Sequence, residues 1–261
     1  MNSKFFTMKK NLILLLLLIS SNFVYAALQD EIQVYTDDIN SPGEWGVELH
    51  INTTPRGLRQ ASYVGEVVNH HGLRLTPEVS YALTNSLEFG LYIPVVRTSD
   101  ANWIVAGSKL RLKWLPLQVQ EAGGFFGGVN FELSQVKPQF AQSAKSLEMR
   151  NIFGWKNNEW LLAVNPIFGW DLSPGFQHHS PDFTLATKIS RSFSQAVAMG
   201  FEYYNGRGQL NQRLPSNIQE KMLFGVLDYE GKPFNFNFGI GKAMTKATDP
   251  WTLKAVVDLP F

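Results

Sequence analysis

The chain has no cysteine. No disulfide staples the fold, and no thiol can act as nucleophile or metal ligand. Charge is sparse, at 17% of residues, and nearly balanced, with 23 basic and 22 acidic side chains. A nucleic-acid partner would require a basic surface, so that class is excluded. Long apolar runs are missing too. Leu12–Ile19 has eight residues, against the roughly 20 that a spanning helix needs, and nothing after Ala26 comes nearer. Histidine is scarce. Of His50, His70, His71, His178 and His179, the two pairs fall where no regular element fixes a ligand spacing, so no metal is expected. Lipase, phosphate-cradling and metal-protease motifs are absent. No catalytic residue and no cofactor is therefore expected.

What is present begins with an export signal. Lys9 and Lys10 precede Leu12–Ile19, and Val24-Tyr25-Ala26 supplies a small-residue cleavage site. Cleavage after Ala26 leaves 235 of the 261 residues, enough for one domain. Residues 27–43 hold Asp30, Glu31, Asp37 and Asp38 and end in Ser41-Pro42-Gly43. They read as a polar leader or plug, with room for a short strand at Ile32–Tyr35.

From residue 44 onward the side chains alternate between apolar and polar, the period of a strand with one greasy and one wet face. Phe234-Asn235-Phe236-Asn237-Phe238-Gly239-Ile240-Gly241 is the clearest case. About twelve strands are predicted, starting at Glu44–Thr54. The third is Leu87–Thr98, the fourth Asn102–Leu115 and the ninth Ala196–Asn205. Short turns such as Asn85-Ser86 and Asn157-Asn158 alternate with long connections such as Pro55–His71 and Gly206–Ile218. Trp103 breaks the parity of its strand, which a bulge near Gly107 would repair.

The last predicted strand places Trp251, Leu253, Ala255, Val257, Leu259 and Phe261 on one face, with Thr252, Lys254 and Asp258 between them. A strand of this kind ending on an aromatic residue resembles the closing strand of a bacterial outer-membrane β-barrel. In that family Trp251, Leu253, Val257, Leu259 and Phe261 would form the signal read by the barrel-assembly machinery. The resemblance implies an all-β fold. It would be an antiparallel transmembrane β-barrel of about twelve strands over residues 44–261, with short periplasmic turns and longer extracellular loops. Residues 1–26 would be the signal peptide and 27–43 a periplasmic leader. It also implies the outer membrane of a Gram-negative bacterium, with membrane lipid and lipopolysaccharide as surroundings. The pattern as a whole is similar to outer-membrane transporters, including the group labelled phenol-degradation MetA-pathway proteins, from which no residue is carried over. The implied function is a narrow passive channel or transporter for small polar or aromatic solutes. The alternatives are a structural or surface-binding barrel with a blocked lumen, and an outer-membrane lipid-modifying enzyme.

If the apolar face meets lipid, the polar face lines the lumen. Parity puts Glu48, Arg74, Glu78, Glu88, Lys109, Arg111, Lys113, Glu132, Glu148, Arg150, Lys188, Lys254 and Asp258 there. Lys109, Arg111 and Lys113 form the densest cluster. Hairpin arithmetic sets Glu88 beside Arg111 and Lys113, and Glu132 near Lys109. Two roles are open for these charges: a basic stripe guiding anionic or polar solutes, or a salt-bridge ladder bracing a narrow interior.

Overall fold

The structure, a computed structural model, describes residues 31–120 and 122–259. The signal region, the start of the leader and Phe261 lie outside the described residues. Fifteen strands follow one another: β1 (Trp45–Arg56), β2 (Leu73–Thr84), β3 (Leu87–Tyr92), β4 (Val95–Arg97), β5 (Trp103–Val105), β6 (Gly107–Leu117), β7 (Gly124–Val136), β8 (Lys145–Lys156), β9 (Trp160–Asp171), β10 (Asp182–Ser192), β11 (Val197–Gln209), β12 (Gln212–Arg213), β13 (Glu220–Tyr229), β14 (Asn235–Ala243) and β15 (Trp251–Leu259).

Each wall strand pairs antiparallel with its neighbours, and β1 bonds both β2 and β15, so the sheet closes on itself. β3 and β4 both pair with β2 and form one stave of the wall, interrupted at Ile93-Pro94. Proline has no N–H for the ladder. β5 and β6 form the next stave, interrupted at Ala106. β12 only extends the hairpin of β11. The wall is thus a closed barrel of twelve staves.

The predicted bulge sits at this second interruption. Trp103 and Val105 are exposed on β5, while Leu110 and Trp114 are exposed on β6. Outward parity therefore changes from odd to even, across the fully buried Ala106 and Gly107. A Cβ at Gly107 would lie 2.1 Å from the carbonyl oxygen of Gln135, so only glycine lets the two backbones approach.

Two expectations are corrected. The ninth predicted strand runs four residues past Asn205, because Gly208 pairs with Arg213 and carries the hairpin outward. Gly208 adopts a φ of 77° there, a conformation that suits glycine. Residues Ile32–Tyr35 form no strand. The backbone of Tyr35 is paired by a side-chain amide instead, as described below.

The faces of the wall divide by chemistry. Phe89, Leu91, Leu110, Phe131, Leu133, Val164, Phe201 and Ile240 are exposed on the outside. Inside, Glu78, Glu132, Glu202, Arg111, Arg150 and Lys254 are buried. A water-soluble barrel would carry the opposite arrangement. A lipid-spanning barrel requires this one, because a charge on the lipid face costs about 2–4 kcal/mol at the bilayer midplane. Trp45, Trp114 and Trp160 stand exposed near the short-turn end, and Trp103 and Trp251 near the long-loop end. Aromatics with an apolar body and a polar edge suit both interfaces.

Candidate functional site

The chain immediately before β1 turns into the barrel and climbs its interior. Asn40 lies lowest, near the short turns. Its backbone N–H donates to Glu88 Oε2 at 3.0 Å, and its side-chain amide donates to Glu88 and to Ser80 Oγ, at 2.7 and 2.9 Å. Asp37 accepts from Lys156 at 3.1 Å, and Lys113 donates to the carbonyl of Asp38.

Higher up, Asn165 takes the place of a neighbouring strand. Its Oδ1 accepts from the N–H of Tyr35 at 2.7 Å, and its Nδ2 donates to the carbonyl of Tyr35 at 3.0 Å. One buried amide thus satisfies both backbone groups of an irregular segment, which a buried segment needs. The Tyr35 hydroxyl lies 3.0 Å from that of Tyr92 and donates to Glu132 at 3.2 Å. The guanidinium of Arg150 sits over the Tyr35 ring, 4.4 Å from its centroid, and donates to the carbonyl of Gln33 at 3.0 Å. Lys254 donates to the carbonyl of Ile32 at 3.0 Å. The apolar side chains have their own partners. Val34 packs with Leu115, Phe126 and Ile152. Ile32 packs with Met222, Phe224 and Val226.

Most of the charges placed inside by parity are held in ion pairs. Arg111 bridges Glu78, at 2.8 Å, and Glu88. Gly90 makes room for this bridge, since a Cβ there would meet Arg111 Nε at 2.7 Å and Glu78 Oε1 at 2.8 Å. Lys109 lies 3.6 Å from Glu132. Arg150 pairs with Glu148 at 3.0 Å and with Glu31 at 3.6 Å. Lys188 pairs with Asp228 at 2.8 Å and with Glu202 at 3.5 Å. Lys254 on β15 reaches Glu202 on β11, past the two strands that separate them in the wall. Arg74 is buried and donates to Asn69. Lys113 stands opposite Glu88 in the β3–β6 register, as hairpin arithmetic predicts, while its ammonium lies 5.2 Å from the Tyr35 ring centroid and meets the segment. On β15, Trp251, Leu253, Val257 and Leu259 share the outward face, while Thr252, Lys254 and Val256 are buried inside.

Parity places His50 inward near Glu48, and the structure adds Glu78 to the pair. His50, fully buried, lies 3.4 Å from Glu78 and 3.6 Å from Glu48. The three potential ligand atoms fall within 4.8 Å of one another. Arg111, already on Glu78, supplies counter-charge to the same group. Sequence reasoning missed Asn165 and Tyr35. An isolated amide between Ala163 and Ile167 on the inner face of β9 was the available signal.

Around the segment, toward the short turns, the lumen holds a cavity of about 970 Å³. Nine carboxylates and four basic side chains line it.

No protein-family model matches the chain, and no curated protein does. Solved structures do. The COG4313 outer membrane channel from Pseudomonas putida F1 superposes with a TM-score of 0.58 at 11% identity, over 88% of this chain and 100% of that one. The chain has the outer-membrane β-barrel fold. The KdgM porin aligns with a TM-score of 0.54 at 12% identity, over 83% of this chain and 99% of its own. The NanC porin aligns at 0.53 and 8%, over 84% and 100%. The wall of this outer-membrane-type barrel therefore has the span of complete channel proteins, and at these identities the likeness concerns the fold.

Proposed function

We propose that the protein is a passive channel for small polar solutes in the outer membrane of a Gram-negative bacterium, narrowed by its own residues 31–44. The observation that carries this reading is the interior: a closed wall, polar within, with a cavity of about 970 Å³ beside a segment that threads the middle of the lumen. Barrel size supports it. Eight-stranded barrels are filled by side chains and sixteen-stranded ones leave an aqueous channel, so twelve staves fit a narrow passage. The bracing role of the inner charges is favoured over a basic stripe, because Lys109 and Arg111 face carboxylates and Lys113 faces the segment. Transport is favoured over lipid hydrolysis, which needs a serine within hydrogen-bond reach of a histidine; His50 meets two glutamates. The signal peptide would be removed after Ala26, and the outward face of β15 would serve barrel assembly.

Purified barrel in planar bilayers tests the proposal. Steady single-channel openings are expected, and deleting residues 31–40 is expected to raise the conductance several-fold. A barrel that folds, as judged by heat-modifiable gel migration, yet stays electrically silent with and without those residues would instead be a structural barrel.

A further inference from the structure

Resting on the channel reading above, we propose that the pathway favours cationic over anionic solutes, because the inner walls of both mouths hold carboxylates in excess of the cations facing them.

At the short-turn end, the four basic groups lining the cavity are already engaged. Arg111 holds Glu78 and Glu88. Lys188 holds Asp228 and Glu202. Lys156 is paired with Asp37, and Lys113 is turned onto the carbonyl of Asp38 and the Tyr35 ring. Glu44, Glu230 and Asp258 line the same cavity and have no ion-pair partner among the described residues.

The long-loop end repeats the pattern. Asp171, Asp182 and Glu220 occupy inward positions at the ends of β9, β10 and β13. Glu220 lies within electrostatic reach of Asp182, Asp249 and Glu66, and Asp182 within reach of Asp171. Asp249 accepts from the N–H of Leu58 at 2.8 Å and from Asn69 at 3.1 Å, groups without formal charge. Arg74 is the inward cation nearby, and it donates to Asn69. Arg59 and Asp249 both lie within electrostatic reach of His70, and three further cations near the barrel ends lie on the outside. Arg207 is 5.6 Å from the Phe183 ring and Lys242 is 5.7 Å from the Trp251 ring. Arg191 is 5.5 Å from the Trp160 ring at the opposite end. Positive charge therefore rims the wall, and negative charge lines the openings.

A concave, low-dielectric passage focuses the field of such groups and concentrates counter-ions at its entrance. Rings of Asp and Glu select cations in pores for the same reason. Metal ions, ammonium compounds and other small organic cations are the solutes this field would admit first, and sugar acids or phosphates the ones it would repel.

The test is the reversal potential of the full-length barrel across a tenfold KCl gradient. Displacement toward the potassium Nernst potential is expected, at a permeability ratio of about threefold or more. The variant Glu44→Gln/Glu230→Gln/Asp258→Asn should bring the ratio toward one, and Lys242→Gln on the outer rim should leave it unchanged. If the triple variant fails to fold, raising the salt on both sides of the wild-type barrel gives the second readout, because screening should lower the ratio. A conducting barrel that reverses at zero or toward chloride overturns the cation preference and leaves the channel standing. Silence in every form overturns the channel, and the preference with it.

Discussion

The threaded segment has two ends of different character. Its upper part, residues 31–35, is mostly buried. Val34 and Ile32 sit in separate apolar clusters, and the backbone of Tyr35 is closed by Asn165. Its lower part, residues 36–40, hangs in the cavity on charges. Lys156, the partner of Asp37, is 41% exposed. The upper contacts work in low dielectric, where an unmade hydrogen bond is expensive and a matched one is strong. The lower contacts compete with water and salt. The upper part is therefore the anchor and the lower part the adjustable portion. On the proposed channel reading, a solute entering from the short-turn side would meet the loose end first.

The largest effect should come from the anchor's deepest ion pair. Glu202→Gln leaves Lys254 and Lys188 facing an uncharged amide. Removing one partner of a buried pair costs about 3–5 kcal/mol, so the barrel should lose its heat-modifiable, compact gel form at a distinctly lower temperature. An unchanged transition would mean that water reaches this pair.

Asn165→Leu should come second. It strands the N–H and the carbonyl of Tyr35, at about 1–3 kcal/mol for each unsatisfied group. The segment should detach while the wall persists, giving larger and noisier single-channel currents with a nearly unaltered unfolding transition. Equal loss of wall and segment would erase the distinction between them.

Asp37→Asn should do least. A partly exposed pair is worth about 0–1 kcal/mol, so its effect on conductance should be small and should fade as salt rises. A change as large as that of Asn165→Leu would move the anchor to the lower end.

Much of the wall was legible in the sequence, because a period of two is a local property and lipid enforces it. Leu87, Phe89 and Leu91 pointed outward by arithmetic, and Trp103 flagged the phase change at Ala106-Gly107. Neighbouring-strand pairs such as Lys109–Glu132 were within reach for the same reason. Lys254–Glu202 was not, since β15 and β11 are separated by β14 and β13 in the wall. Their meeting depends on how the closed sheet curves, which no hairpin count provides. The segment before β1 was harder still. It has no period, and its place is fixed by one amide, two tyrosines and a set of backbone carbonyls. The role of Gly90, space for Arg111 against Glu78, depends on side chains from three strands and was out of reach for the same reason.

The seam between β1 and β15 joins the first described strand to the last described one. Until Trp251–Leu259 arrives, the nascent sheet has two ragged borders able to zip onto any extended polypeptide nearby. The stretch leading into β1 hangs from one of those borders. Sealing the seam therefore also decides whether that stretch is trapped within the finished cylinder or left outside it.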